Sequence, residues 1–273
     1  MKLDTNTIQS PVVSVIVPAF NCELYIEAAV RSVMGQTFEN WELIVIDDGS
    51  TDSTFDIVHR LAQEDCRIKA VKNPRNMGVA ATRNRGFELS QGHYIALLDG
   101  DDRWYPDKLN KQLQVAEETN ADLVYCSYGI IDEFGTSLCN DFIVPYTTDY
   151  QQMLVKSVIS CSTVLLSRHI IEQYRFEANY YHEDLVYWLN IMRDAKKAYG
   201  AVDVLADYRV LHGSRASNKI KSVFQRWKIY RGYLKIPIFQ SIVLIMRYAL
   251  LALKKYKRLA HRRRCGSAGK RNQ

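Results

Sequence analysis

Tyr94-Ile-Ala-Leu-Leu-Asp-Gly-Asp-Asp102 is an apolar run that breaks off into three carboxylates within four positions. Ile95, Ala96, Leu97 and Leu98 read as a strand buried on both faces, so Asp99, Asp101 and Asp102 should emerge where a buried parallel sheet ends. That edge is where open α/β sheets bind ligands. Carboxylates this crowded repel one another, raising the pKa of some, unless a cation sits among them. A divalent ion is the simplest relief. Hard oxygen ligands favour Mg2+ or Mn2+, with water and phosphate oxygens filling the remaining positions. An EF-hand is excluded, because the sixth residue counted from Asp99 is Trp104 where that loop needs Gly, and the twelfth is Asn110 where it needs Glu.

Upstream of this strand, short apolar runs alternate with helix-period segments, the mark of a parallel α/β sheet. Val12 to Val17 is a strand broken by Pro18-Ala-Phe-Asn21, and Ile26, Ala29, Val30 and Val33 put a helix over 23–36. Leu43 to Ile46 is the second strand, ending in Asp47-Asp-Gly-Ser-Thr-Asp52 before a helix with the stripe Phe55, Val58 and Leu61. Ile68 to Val71 is the third, and Asn76 to Arg85 opens another helix. Three βα units thus precede the acidic strand.

Downstream, Pro106 suits a first helical turn, with Leu109, Leu113 and Ala116 as the buried face. Leu123 to Tyr128 reads as a strand and 129–150 as a hairpin or irregular excursion, where the sheet stops being purely parallel. His182-Glu-Asp184 begins a helix with Leu185, Trp188, Leu189 and Met192 at i, i+3, i+4 and i+7, and Val202 to Val210 is a late strand. Two helices, 217–235 and 238–260, flank Pro237.

The net charge of +6 conceals a division. Residues 1–207 carry a net charge of −12, whereas 208–273 hold 18 Lys and Arg and no acid. Such a tail suits a polyanion, either nucleic acid or an anionic lipid surface. The sixteen residues 238–253 would rise about 24 Å as a helix, short of a bilayer core of about 30 Å, with Arg247 near the middle. A helix lying in the membrane plane fits better than one spanning it. Six scattered cysteines without a CxxC pair suggest neither zinc nor a disulfide framework, a reducing compartment fits them, and Met1 to Pro11 lacks the order of a signal peptide.

Several strand ends should therefore converge on one rim: Pro18 to Asn21, Asp47 to Asp52 and Asp99 to Asp102. The G-x-G-x-x-G turn of dinucleotide-binding folds is missing from the first βα junction, which argues against a dinucleotide. Phosphate charge would then be met by a metal at the third strand end, with Arg83 and Arg85 as further donors.

Val13-Ser-Val-Ile-Val-Pro-Ala-Phe-Asn21, Trp41-Glu-Leu-Ile-Val-Ile-Asp-Asp-Gly-Ser-Thr-Asp52, Asn76-Met-Gly-Val-Ala-Ala-Thr-Arg-Asn-Arg-Gly86 and Ile95 to Asp102 together resemble the family 2 glycosyltransferases. The likeness runs from about Val12 to Lys108 and returns at His182-Glu-Asp184. It implies a GT-A fold, α/β with a mixed, mostly parallel sheet flanked by helices, followed by a basic helical extension. It also implies a nucleotide-diphosphate sugar donor, first expected to be a UDP-sugar, Mg2+ or Mn2+, and inversion at the anomeric carbon. By that resemblance Pro18, Phe20, Asn21, Asp48 and Arg83 contact the nucleotide. Asp99 lies at ribose and metal, Asp101 is the more direct metal ligand, and Asp184 of the Glu183-Asp184 pair is the base, kept ionised at a helix N-terminus.

Tyr208 to Lys219 and Gln225 to Arg231 resemble bacterial members that build cell-surface polysaccharides, which implies a saccharide acceptor on a polyprenyl diphosphate and a place on the cytoplasmic face of the membrane. Arg209, Ser214 and Arg215 are then candidates for a lid over the diphosphate. The expected organisation is a catalytic domain 1–216, a membrane-associating helical extension 217–260 and a basic tail 261–273. Two other readings stand beside it, a nucleotide-binding scaffold without catalysis and a basic-tailed nucleic-acid-binding protein.

Overall fold

The computed structural model describes residues 10–194, 197–211 and 219–251. In chain order the elements are β1 (Val13–Ala19), α1 (Ile26–Met34), β2 (Trp41–Asp47), α2 (Thr54–Glu64), β3 (Ile68–Lys72), α3 (Val79–Leu89), β4 (Tyr94–Leu97) and β5 (Arg103–Trp104). They continue as α4 (Lys108–Thr119), β6 (Leu123–Ile131), β7 (Thr147–Thr148), α5 (Tyr150–Val155), β8 (Leu165–Ser167), α6 (Arg168–Gln173), α7 (Glu183–Arg193), β9 (Ala198–Arg209) and α8 (Lys219–Lys228). A π-helical turn, Ile229–Tyr233, leads to a last helix, α9, over 238–251.

The sheet runs β3-β2-β1-β4-β8-β6-β9-β5, with β7 on β9. Its first four strands are mutually parallel. β8 lies antiparallel to both β4 and β6, while β9 pairs parallel with β6. The expected loss of pure parallelism thus occurs at the neighbour of the acidic strand. After β6 the chain folds back through antiparallel bridges Tyr128 to Phe142 and Ile131 to Ser137. Its turn, Asp132 to Gly135, is closed by Asp132 Oδ1 accepting from Phe134 N at 2.9 Å and Thr136 N at 2.8 Å, with Gly135 at φ 83°.

The period-two geometry of strands explains why continuous apolar runs serve two cores. Val13, Val15 and Val17 of β1 face one cluster with Leu43, Val45, Ala96 and Leu98, covered by α1, α2 and α4. Ile16 faces the other, with Ile44, Ile46, Ile95 and Leu97, covered by α3 and α7. The predicted stripe Ile26, Ala29, Val30 and Val33 is fully buried in α1.

The basic extension docks on this second cluster. Ile229 and Tyr230 are buried members of it, and Tyr233, Leu234, Ile236, Leu244 and Ile245 pack against it. The boundary expected at 216 lies outside the described residues, in the stretch between β9 and α8. Among the described residues no helix is long and apolar enough to cross a membrane.

Candidate active site

A cavity of about 640 Å3 opens where the segments after β1 and β4 meet the N-terminal turns of α3 and α7. Pro18, Phe20 and Asn21 line it from the first segment, Asp99, Gly100 and Asp101 from the second, Arg83 from α3, and Glu183 and Asp184 from α7. Pro18 and Asp184, far apart in sequence, thus line one space.

The loop after β1 is shaped by Asn21, which adopts φ 46°, a left-handed conformation that Asn tolerates. Its N–H donates to Ser50 Oγ and its Oδ1 accepts from Thr51 N, both at 2.9 Å. A second pair of bonds runs Glu23 N to Asp52 and Ser53 N to Glu23. The two loops are zipped together, leaving Phe20 47% exposed at the cavity mouth.

Gly100 marks a close approach between the two aspartates. A Cβ there would sit 3.0 Å from Cys22 Sγ and 3.3 Å from Pro18 O. Asp99 N donates to Ser162 Oγ at 3.0 Å, and Asp99 Oδ1 accepts from Arg83 Nη2 at 2.6 Å. Burial, reinforced by Asp99, pushes the Asp101 carboxyl up to about 6, and Arg209 pulls the other way. Asp102 does not line the cavity. Its buried carboxylate accepts from Ser162 Oγ and from Arg209 N, so the third acidic residue braces the loop against β9.

Arg83 is buried and bridges the strand end to α7, donating through Nη1 to Glu183 Oε1 at 3.1 Å as well as to Asp99. Its guanidinium lies 5.1 Å from the Phe176 ring centre. Neighbouring Asn84 clamps Phe176 in both directions, Nδ2 to its carbonyl at 3.0 Å and Oδ1 from its N–H at 2.9 Å. Phe176 stacks on Tyr187 of α7 at 4.1 Å between ring centres. The Thr82-Arg83-Asn84 run of α3 thereby sets where Glu183 and Asp184 stand. Burial pushes the Asp184 carboxyl up from its ordinary value, against the pull of Arg83 and of the bond from Leu185 N at 2.7 Å. The donors at the helix terminus expected to keep Asp184 ionised thus act against desolvation, which is the larger influence.

Three further expectations change. Asp48 is not in the cavity lining. Its carboxylate is taken up by Asn73 Nδ2 at 2.6 Å, Met77 N at 2.9 Å and Gly78 N at 2.8 Å, which holds the turn into α3. Arg85 faces away, donating to Lys72 O and Asn73 Oδ1 at the end of β3. Arg209 is no lid. It is buried, donates to Asp101 O at 2.7 Å and to the carbonyls of Asp132 and Glu133, and lies over the Tyr25 ring. Ser214 and Arg215 lie outside the described residues.

Sequence reasoning missed Arg226 and Tyr248, which line the cavity from α8 and α9. Arg226 is buried, donating to Leu154 O and Ser157 Oγ, both at 2.6 Å, with its guanidinium 4.2 Å from the Tyr248 ring centre. A signal existed, because helical spacing puts Ser241, Leu244, Ile245 and Tyr248 on one face. Burial pushes the Cys22 thiol up to about 12 and that of Cys161 well above its ordinary value, so neither cavity thiol is a nucleophile near neutral pH.

The chain has relatives along most of its length. "Putative teichuronic acid biosynthesis glycosyltransferase TuaG" of Bacillus subtilis is 36% identical over 245 residues, 90% of this chain and 97% of that one. "UDP-Glc:alpha-D-GlcNAc-diphosphoundecaprenol beta-1,3-glucosyltransferase WfgD" of Escherichia coli is 33% identical over 89% of this chain and 94% of its own. The fold is GT-A. A crystal structure of S. aureus TarS in complex with UDP-GlcNAc superposes with a TM-score of 0.68 at 17% identity, over 87% of this chain and 71% of that one. The mannosyltransferase PcManGT from Pyrobaculum calidifontis, in complex with GDP-Man and Mn2+, gives 0.66 at 16% identity over 95% and 80%. Residues 14–175 match the family described as "Glycosyl transferase family 2", and with the cavity motifs falling inside or just beyond that span, the chain belongs to this family of glycosyltransferases.

Proposed function

We propose that this glycosyltransferase moves a sugar, with inversion, from a nucleoside-diphosphate sugar to a hydroxyl of a saccharide carried on polyprenyl diphosphate, in bacterial surface polysaccharide synthesis. The observation that carries this is the single cavity in which Asp99 and Asp101 stand across from Glu183 and Asp184, with Arg83 between them. A UDP-sugar is the expected donor, as in the names of two Escherichia coli relatives, which also name diphosphoundecaprenol acceptors.

Asp101 and Asp99 would hold Mg2+ or Mn2+. Their donors are hard oxygens at an open rim, and the Asp101 carboxyl, raised by burial and then by neighbouring Asp99, is one that a cation would draw back to its charged form. Among the described residues no group of three or more His, Cys, Asp or Glu forms a complete metal site, so diphosphate oxygens and water would complete the shell. When bound, the ion supplies Lewis-acid stabilisation of the charge on the departing diphosphate. Because Arg83 occupies one Asp99 oxygen, Asp101 is the more direct ligand.

Pro18, Phe20 and Asn21 form the side of the cavity expected to take the nucleotide. Asp184 accepts the proton of the attacking hydroxyl, and its carboxylate, raised by burial, is a stronger base than that of an ordinary Asp. Glu183 holds Arg83 rather than the acceptor, which makes it a positioning residue. Because the acceptor is borne on lipid, the enzyme would work at the cytoplasmic face of the membrane.

A panel of UDP-, GDP- and dTDP-sugars with Mg2+ or Mn2+ tests the reading. Nucleoside diphosphate should be released from one donor, faster with a polyprenyl-diphosphate saccharide, and NMR of the product should show an inverted anomeric carbon. No release from any donor, or a retained configuration, would overturn it.

A further inference from the structure

Helix 238–251 has three sides. Ser241, Leu244, Ile245 and Tyr248 turn inward, with Leu244 and Ile245 against the core and Tyr248 at the cavity. Gln240 and Arg247 lie together on a narrow exposed polar strip. The remaining arc, about 120° wide at 100° per residue, carries Ile238, Ile242, Met246, Phe239 and Leu250. All five are exposed, Phe239 to 75% and Met246 to 59%. A helix that only docked on its own domain would place polar residues there. Beside it, Val223, Phe224 and Trp227 of α8 and Ile245 line an apolar cleft of about 400 Å3, with Phe224 55% exposed.

The surroundings of this apolar face are cationic. Lys228, Arg231, Lys235 and Arg247 are exposed, Lys254, Lys255, Lys257 and Arg258 follow in sequence, and residues 208–273 contain no acid. Large apolar side chains within a field of one sign match a bilayer containing anionic lipid, which offers hydrocarbon and negative headgroups together. A protein partner would need an apolar groove rimmed with acid.

We propose that the outward arc of 238–251, together with Phe224, inserts into anionic lipid, while the inward side of the same helix presents Tyr248 to the catalytic cavity. This deepens the membrane location proposed above and rests on it. One helix then joins the lipid surface to the site, so an acceptor held by its lipid tail reaches the cavity beside Tyr248 and Arg226.

The test is flotation of the full chain with vesicles of phosphatidylglycerol and phosphatidylcholine, and with phosphatidylcholine alone. The parent should float with the anionic vesicles only. Ile242→Glu/Met246→Glu, and separately Phe239→Glu, should lower the bound fraction at least tenfold, leaving the thermal melt and sugar transfer to a water-soluble acceptor unchanged. Flotation of the variants equal to the parent's would assign binding to tail cations alone and overturn the proposal. So would a parent that ignores vesicles and dissociates from a dimer when the arc is charged, or one whose vesicle binding duplex DNA abolishes. Transfer to the soluble acceptor is read on the same samples, so loss of sugar transfer in the parent strikes the catalytic reading and loss of flotation alone strikes this one.

Discussion

At the scale of single residues the site rests on how carboxylates are neutralised. Asp99 and Glu183 share the buried Arg83, Asp102 is bonded by Ser162 and Arg209, and Asp101 is left with a pKa pushed up to about 6. A carboxyl raised in this way is neutral below that pH and ligates poorly. Titration calorimetry with Mn2+ and nucleoside diphosphate should show affinity falling as pH drops through 6, and Asp101→Ala should abolish transfer with the melt largely unchanged. Asp184 carries a different test. Replacing it with Asn should lower kcat about 10²- to 10⁴-fold, the usual span for general base catalysis. Because its pKa is raised, activity in the parent should be lost with falling pH while still above the ordinary Asp value of about 3.9.

At the scale of elements, loops are held by buried carboxylates that gather backbone and side-chain donors. Asp48 is the clearest case, with three donors on one carboxylate holding the turn into α3. Bonds to a charged acceptor contribute about 1.5–3 kcal/mol each and are not additive. Asp48→Ala should therefore cost about 3 kcal/mol in urea denaturation, a larger effect than that of a surface change. Gly100 tests the approach of the segments after β1 and β4. Gly100→Ala must displace Cys22 Sγ or the acidic loop by a few tenths of an ångström, and about a tenfold loss in kcat/KM is expected from such misplacement. Cys22→Ala in the same chain should recover part of it by making room for the added methyl.

Across the whole molecule, buried charge shapes the pH dependence of stability. Lys108 is buried between α4 and β5, donating to Gln112 Oε1 at 2.6 Å with its ammonium 3.8 Å from the Trp104 ring centre. Burial lowers its pKa to about 8. Between that value and about 10.4 the unfolded chain binds the extra proton, so this group makes stability rise with pH across the window and weakens the fold most below it. Differential scanning calorimetry of Lys108→Met should show a smaller rise in Tm from pH 7.5 to 10 than the parent, with the two curves converging at the alkaline end. The docked extension acts at the same scale, since Ile229, Tyr230, Leu244 and Ile245 tie residues beyond 216 to the core beneath β1 and β4.

Local sequence was enough for the βα units, because buried parallel strands and amphipathic helices are each written in a few adjacent residues, as in Val13 to Val17 and Ile26 to Val33. The acidic strand end, Arg83 and Glu183-Asp184 were likewise marked by motif, and the cavity gathers them. What the chain could not declare was the traffic between distant segments. Whether a carboxylate faces a ligand or a backbone N–H is decided by a loop elsewhere, which is why Asp48 and Asp102 turn out to brace loops and Arg209 is fixed instead of mobile. The apolar helix near the C-terminus is the same lesson in the other direction. Its sequence showed hydrophobic residues on too many sides for a simple amphipathic helix, and only packing could assign one side to the core and cavity and leave the other exposed.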